Sequence, residues 1–353
     1  MFIPSTESEQ TLFDIDDEEV EEVEEESEPT HEEADIAESE LQSALRIYEG
    51  WRTDSYMLTH MTGLTVEDFE NLAVEVEPVW QSLTWRCSQT PTPRQTQLSV
   101  KAALYITLTW LYQYPTLIIM RAIFKVHTRT ITRILRRTVE ALYMCLKDEV
   151  KWPSDEELNG LTYSFFQNAA FADAVCIVDG TEIRISRPSN PELQAETWSK
   201  KKKQNSLNVL FISKLNGELI HFTQYALKPH DQKQWNETNL RDLFEDKDFG
   251  ILGDGGFTFN RVFDFIDIHG YKPIPKPKGG KLTLDQKSYN KSLSQMRAVI
   301  ENAIRKVKRW KVLSHTFRHW RSNMGKLDLN KIVCIAATLS NCQIIYKPLW
   351  KDE

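Results

Sequence analysis

Cysteine is sparse in this 353-residue chain: Cys87, Cys145, Cys176, Cys334 and Cys342 are scattered, with no C-x-x-C pair. An odd, dispersed set excludes a disulfide framework, offers no zinc-ligand spacing and points to a reducing compartment. No apolar run approaches the roughly 18 residues that a membrane span needs, so the composition is that of a soluble protein with no membrane partner. Internal repeats are absent. Basic residues are missing from positions 1–45, which hold 18 Asp or Glu and no Lys or Arg. Such a start is neither a secretory signal nor a basic organelle-targeting peptide. Glycine is scarce too, 13 in all, and four of them stand in "GILGDGGF" (250–257).

The net charge of −8 conceals an asymmetry: residues 46–353 carry 33 acids against 43 bases, so an acidic tail precedes a basic body. A basic body suggests a polyanionic partner such as nucleic acid, although lysine and arginine also serve simply to solvate a surface. The length predicts two modules plus tails. Residues 1–45 are low in complexity and self-repelling, and they read as disordered. Residues 46–95 form a helical segment, with a helix start at Thr65 followed by Glu67 and Asp68, and end in the Pro/Thr-rich linker "SQTPTPRQTQ" (88–97).

Residues 96–150 carry three apolar-periodic stretches. "SVKAALYITLTWLYQ" (99–113) reads as a buried helix, and Pro115 opens a second one. In "HTRTITRILRRTVEALYMCLK" (127–147), Ile131, Ile134, Leu135, Val139 and Leu142 share one face, while Arg129, Arg133, Arg136 and Arg137 lie on others. Two helices joined by the short "KVHT" turn, the second rich in arginine, make a helix-turn-helix pattern in which Lys125 and the four arginines are candidate DNA contacts. A small helical bundle with a solvated basic face fits the same pattern.

From residue 171 to 349 the period changes to that of an α/β domain. "AVCIVDG" (174–180) is a short strand ending at Asp179, and "LNVLFISK" (207–214) pairs with "GELIHFTQYAL" (217–227) through a turn at Asn216-Gly217. "NETNLRDLF" (236–244) reads as a helix, "FGILGDGGF" as a buried strand, and 282–313 as one long helix. The sheet should contain both antiparallel and parallel pairs.

Asp179 and Asp254 each follow an apolar strand and precede a glycine. If the strands are neighbours, two carboxylates converge. Like charges about 4 Å apart repel by about 4 kcal/mol at an effective dielectric of 20, which a shared proton or a divalent cation would relieve. Mg²⁺ takes hard carboxylate oxygens and phosphate oxygens together. The alternative for "DGG" is a tight turn capped by Asp. For a third acid the long helix offers Glu301, on the flank of the apolar face formed by Met296, Val299, Ile300, Ala303, Val307 and Trp310. An i,i+4 ion pair with Arg297 or Arg305 would be the plainer role for it. Lys200, Lys201, Lys202 and Lys203 in "WSKKKKQ" suit phosphate contacts, a solvated loop being the plainer alternative, and "KPKGGK" (276–281) fits a flexible basic loop equally well; either could serve nuclear import. Asp231 reads best as the N-cap of a helix, and His230 as a surface or capping residue.

"VDGTEI", "LGDGGF" and "SYNKSLSQMRAVIENAIRKVKRW" resemble the three motif blocks of the PIF/Harbinger-type DDE transposases and the nucleases derived from them. "IVCIAATLSNCQI" (332–344) resembles that family's closing helix, its asparagine being Asn341. The resemblance runs from about residue 95 to 345. It implies an RNase H-like core preceded by an all-α helix-turn-helix domain, with Asp179, Asp254 and Glu301 as the catalytic acids holding two Mg²⁺ or Mn²⁺ ions. It also implies double-stranded DNA (terminal inverted repeats and a target site) as partner, nuclear location, a homo-oligomer and a Myb-like helper protein. The family often carries an Asp after a glycine-rich turn. Here Lys228-Pro229-His230 replaces the glycines before Asp231. A host-adopted relative that binds DNA or chromatin and no longer cuts is the alternative; three intact acids weigh against it.

Overall fold

The computed structural model describes residues 46–83, 99–158, 171, 173–227, 231–238, 240–244, 249–259, 269–319 and 327–346. The acidic stretch 1–45, the linker 88–97 and His230 lie outside these residues. No helix among the described residues is long and apolar enough to cross a membrane.

The N-terminal half is helical: α1 (Ser55–Thr62), α2 (Val66–Ser82), α3 (Val100–Gln113), α4 (Leu117–Phe124) and α5 (Thr128–Leu146). Side-chain caps set the starts. Thr65 accepts from the Asp68 N–H, Ser99 from Ala102 and Thr116 from Ile119. Pro115 thus precedes its helix, with Thr116 taking the cap. The α4–α5 turn closes through Lys125, whose φ of 58° ends α4 in the left-handed region. The five apolar residues read for α5 are all buried.

The C-terminal half contains β1 (Ala174–Arg184), α6 (Pro191–Thr197), β2 (Trp198–Ser199), β3 (Gln204–Lys214), β4 (Leu219–Phe222) and α7 (Asp231–Glu237). A 3-10 turn (Arg241–Phe244), β5 (Gly250–Leu252), β6 (His269–Tyr271), α8 (Leu284–Val307), α9 (Lys311–Ser314) and α10 (Leu329–Tyr346) follow. The sheet order is β2-β3-β1-β5-β6, with β4 also paired to β3. β1 is antiparallel to β3 and parallel to β5, and β5 is parallel to β6, so the sheet is mixed as expected. The β3–β4 hairpin turns at Asn216-Gly217, with Gly217 at φ +94°.

Three boundaries differ from the sequence reading. β1 does not stop at Asp179: it continues to Arg184 because β3 pairs with it along its length, down to Arg184 opposite Ser206. The expected helix over 236–244 is α7 plus the 3-10 turn; the Thr238 hydroxyl donates to the Gln234 carbonyl at 2.8 Å and closes the last turn of α7. The long helix breaks after Val307, and Trp310, buried with its Nε1 3.3 Å from Ser340 Oγ, caps a separate α9.

One apolar core runs without a break from Tyr48 through the α-helices to one face of the sheet, α8 and α10. A second, smaller core fills the other face around Trp235, Phe244, Phe257 and Phe259. The helical half is docked through specific contacts. Arg318 stacks over Tyr114 (4.3 Å) and donates to the Tyr114 and Pro115 carbonyls, and Lys331 pairs with Glu140. Asn341 is buried on α10 and holds β4 by two bonds: its Oδ1 accepts from the Leu219 N–H (2.9 Å) and its Nδ2 donates to the Leu219 carbonyl (2.7 Å). Asn341→Ala leaves both backbone groups unpaired, so chemical denaturation should show a loss of about 2–4 kcal/mol. A loss under about 0.5 kcal/mol would mean that this tether contributes little.

Candidate active site at the edge of the mixed sheet

Ile177 of β1 stands opposite Leu252 of β5 in a parallel register. Asp179 and Asp254 each lie two residues beyond this pair, Asp179 within β1 and Asp254 in the turn that follows β5, so both stand at the same end of adjacent strands. β5 ends at Leu252 and opens into the Asp254-Gly255-Gly256 turn, whereas β1 runs on. Asp254 Oδ1 accepts from the Gly256 N–H, and its carbonyl from Phe257 at 3.1 Å. The tight-turn role and a place beside Asp179 therefore coexist.

The two faces of β1 bring different partners. Ile177 and Ile183 belong to the main core, so Asp179, at the same parity, faces α8, where Arg297 lies. Gly180 points to the other face, where a β-carbon would stand 1.9 Å from Oδ1 of Asp231. The missing side chain is what lets Asp231 come so close. Asp231 Oδ1 accepts from Asn208 Nδ2 (2.8 Å), and Asn208 also bonds Gln234, which reaches Thr223 and the Gln224 carbonyl. Asp231 opens α7, where the sequence placed it, but its charge also acts at the site. The signal for this was Gly180 itself, since a glycine directly after a strand acid marks a close approach.

The charges of these groups act on one another. Burial pushes the Asp179 carboxyl up to about 6; Arg297 and the Gly180 N–H, 3.0 Å away, oppose this, and the charges of Asp231 and Asp254 add to it. Glu301 is half exposed on α8 and 3.9 Å from Arg297, so it touches the group through that guanidinium. Among the described residues, no three Asp, Glu, His or Cys side chains converge closely enough to hold a metal ion. The carboxylates are instead turned onto Gly180, Gly256 and Asn208.

The basic residues separate. Lys125 and Arg129 are exposed at the turn between α4 and α5, and Arg133 and Arg136 are half-buried. Arg137 stacks on Trp80 at 3.7 Å and donates to the Trp80 carbonyl; burial lowers its pKa to about 10. Its guanidinium therefore serves α2–α5 packing. Lys200 to Lys203 form an exposed hairpin between β2 and β3, with Lys203 at φ +53°. Lys202 lies near Lys308, which donates to the Glu182 carbonyl at 2.7 Å. The hairpin thus sits further along β1 from Asp179.

Residues 178–341, just under half of the chain, match the family described as DDE superfamily endonuclease. That block holds Asp179, Asp231, Asp254 and Glu301. A probable transposase for insertion sequence element IS702 from Microchaete diplosiphon is 33% identical over 89 residues, 22% of this chain and 32% of that protein. The chain therefore spans about a third of the length of this relative. No solved structure matches.

Proposed function

We propose that this chain is a metal-dependent DNA endonuclease and transposase of the PIF/Harbinger type, with an RNase H-like core and a helix-turn-helix formed by α4 and α5. The observation that carries the reading is that Asp179 and Asp254 each lie two residues beyond the paired Ile177 and Leu252 of adjacent parallel strands, with Asp231 against Gly180. The donor set suits a hard divalent cation, because it is made of carboxylate oxygens and because Arg297 does not offset the burial, added to by Asp231 and Asp254, that raises Asp179 to about 6. Asp179 and Asp254 would hold Mg²⁺ or Mn²⁺, with Glu301 and Asp231 contributing from opposite faces of β1. When bound, two such ions neutralise the attacking and leaving oxygens of an in-line phosphoryl displacement.

The chain's own groups do the rest. Asn208 keeps Asp231 aimed, Arg297 brings positive charge to a phosphate entering beside Asp179, and Lys200 to Lys203 hold the strand by its backbone. Lys125, Arg129, Arg133 and Arg136 offer the helix-turn-helix contacts to terminal DNA. Nuclear location, a homo-oligomer and a Myb-like helper belong to the same reading.

The test incubates full-length protein, with any helper, with duplex DNA flanking its own gene. Breaks should appear with Mg²⁺ or Mn²⁺, not in EDTA, and Ca²⁺ should permit binding without efficient cutting. Asp254→Asn and Glu301→Gln should each lower cutting by about a hundredfold or more, equivalent to about 3 kcal/mol, with binding retained. Full activity in excess EDTA would remove the metal reading, and wild-type cutting by Glu301→Gln would remove that residue from the site.

A further inference from the structure

We propose that the loop from Lys272 to Lys281 is a second DNA-backbone grip, seated beside the Asp254 turn on the side of the site away from the Lys200–Lys203 hairpin; this rests on the DNA-cutting reading above. The register fixes its place. Leu252 of β5 pairs with Tyr271 of β6, so the chain leaves β6 at the same edge, and the same level, at which β5 opens toward Asp254. In open sheets of parallel strands, that carboxyl edge is where ligands sit.

The loop is tied to the site rather than trailing from it. Lys272 Nζ donates to the Phe257 carbonyl of the Asp254 turn at 3.2 Å. Asn290 of α8 grips Ile274 as a neighbouring strand would, accepting from its N–H (2.8 Å) and donating to its carbonyl (3.0 Å). The far end turns at Pro277–Gly280, with Gly279 at φ +74°, and closes into the Thr283 capping box of α8. Between these anchors Pro275 to Gly279 are exposed, and residues 269–284 contain four lysines and no acid. Pro273, Pro275 and Pro277 restrict the backbone and have no N–H, so Lys276 and Lys278 are presented from an extended segment, about 6 Å apart in polyproline geometry. A stiff, anchored, wholly basic ribbon suits a polyphosphate backbone, and little of its binding energy goes to ordering.

Edge protection is the competing account, since proline and lysine both discourage a further strand from pairing with β6. The variant Lys276→Ala/Lys278→Ala separates the two because it keeps all three prolines. The affinity of the full-length protein for duplex DNA is measured against salt, with light scattering alongside. Removing one lysine–phosphate pair lowers the log–log salt slope by about 0.9, so the double variant should lower it by about 1.8, and Lys276→Arg/Lys278→Arg should restore it. Wild-type binding with an unchanged slope in the double variant overturns the grip, all the more so if that variant self-associates. Binding of an acidic peptide, but not of DNA, through these lysines overturns it as well. Failure of the wild type to bind duplex DNA at all is a different result, and overturns the DNA-cutting reading with it.

Discussion

Asp179→Asn should raise the melting temperature of the metal-free protein at pH 7.5 while abolishing DNA cleavage. The carboxyl is raised from 3.8 to about 6, first by burial and then by Asp231 and Asp254, against the opposing pull of Arg297 and the Gly180 N–H. A raised acid favours the native state only while protonated. Its contribution is fully present below about pH 4 and is lost as pH rises through about 6, where the native state must ionise a carboxyl that resists it. The full difference is about 3 kcal/mol in order of magnitude. Asparagine keeps the shape and removes the charge, so the variant should gain stability at neutral pH, up to about 2–4 °C for each kcal/mol recovered, and little at pH 4. A divalent ion should reverse the ranking. Mg²⁺ or Mn²⁺ stabilises whatever binds it, so the wild type should gain in melting temperature and Asp179→Asn should gain less. Thermal scans from pH 4 to 8, with each ion and with EDTA, test this. A variant less stable than wild type at pH 7.5 without metal would mean that Asp179 is held by favourable partners and is not under strain.

The parts of this molecule legible in its sequence are those set by short-range chemistry. The helix starts at Thr65 and Ser99, the apolar face of α5 and the turn at Gly217 each need only a few neighbouring residues. The two apolar runs that lead into Asp179 and Asp254 were legible for a similar reason, and their adjacency as β1 and β5 was supplied by the fold. What escaped depends on pairings far apart in sequence. β1 runs past Asp179 because β3, 30 residues on, continues to pair with it. Arg137 looks like part of a basic face until Trp80, 57 residues earlier, is placed under it. Asp231 belongs to an ordinary helix start by local rules, and it lies against β1 only because Gly180 leaves room and Asn208 holds it there.

That last arrangement yields an expected result of its own: Gly180→Ala should lower cutting by about two orders of magnitude while the protein stays folded. The β-carbon would stand 1.9 Å from Asp231 Oδ1 and 2.5 Å from its Cγ, so the carboxylate must swing away and give up its 2.8 Å bond from Asn208. The clash is with the end of a flexible side chain, and Gly180 lies in a regular strand without positive φ, so the backbone accepts alanine. The stability loss should stay near 1–2 kcal/mol, the scale of modest overpacking plus one hydrogen bond. Asp231→Ala should match the loss of cutting by a different route, and the pair should be non-additive. With the carboxylate already gone, Gly180→Ala has nothing left to displace, so the double variant should cut no worse than Asp231→Ala and recover the packing penalty. Single-turnover cutting and denaturation of the four proteins complete the cycle. If the two losses of cutting multiply, Gly180 acts on the site by some path other than Asp231. If Gly180→Ala cuts as the wild type does, Asp231 is a helix cap and no more.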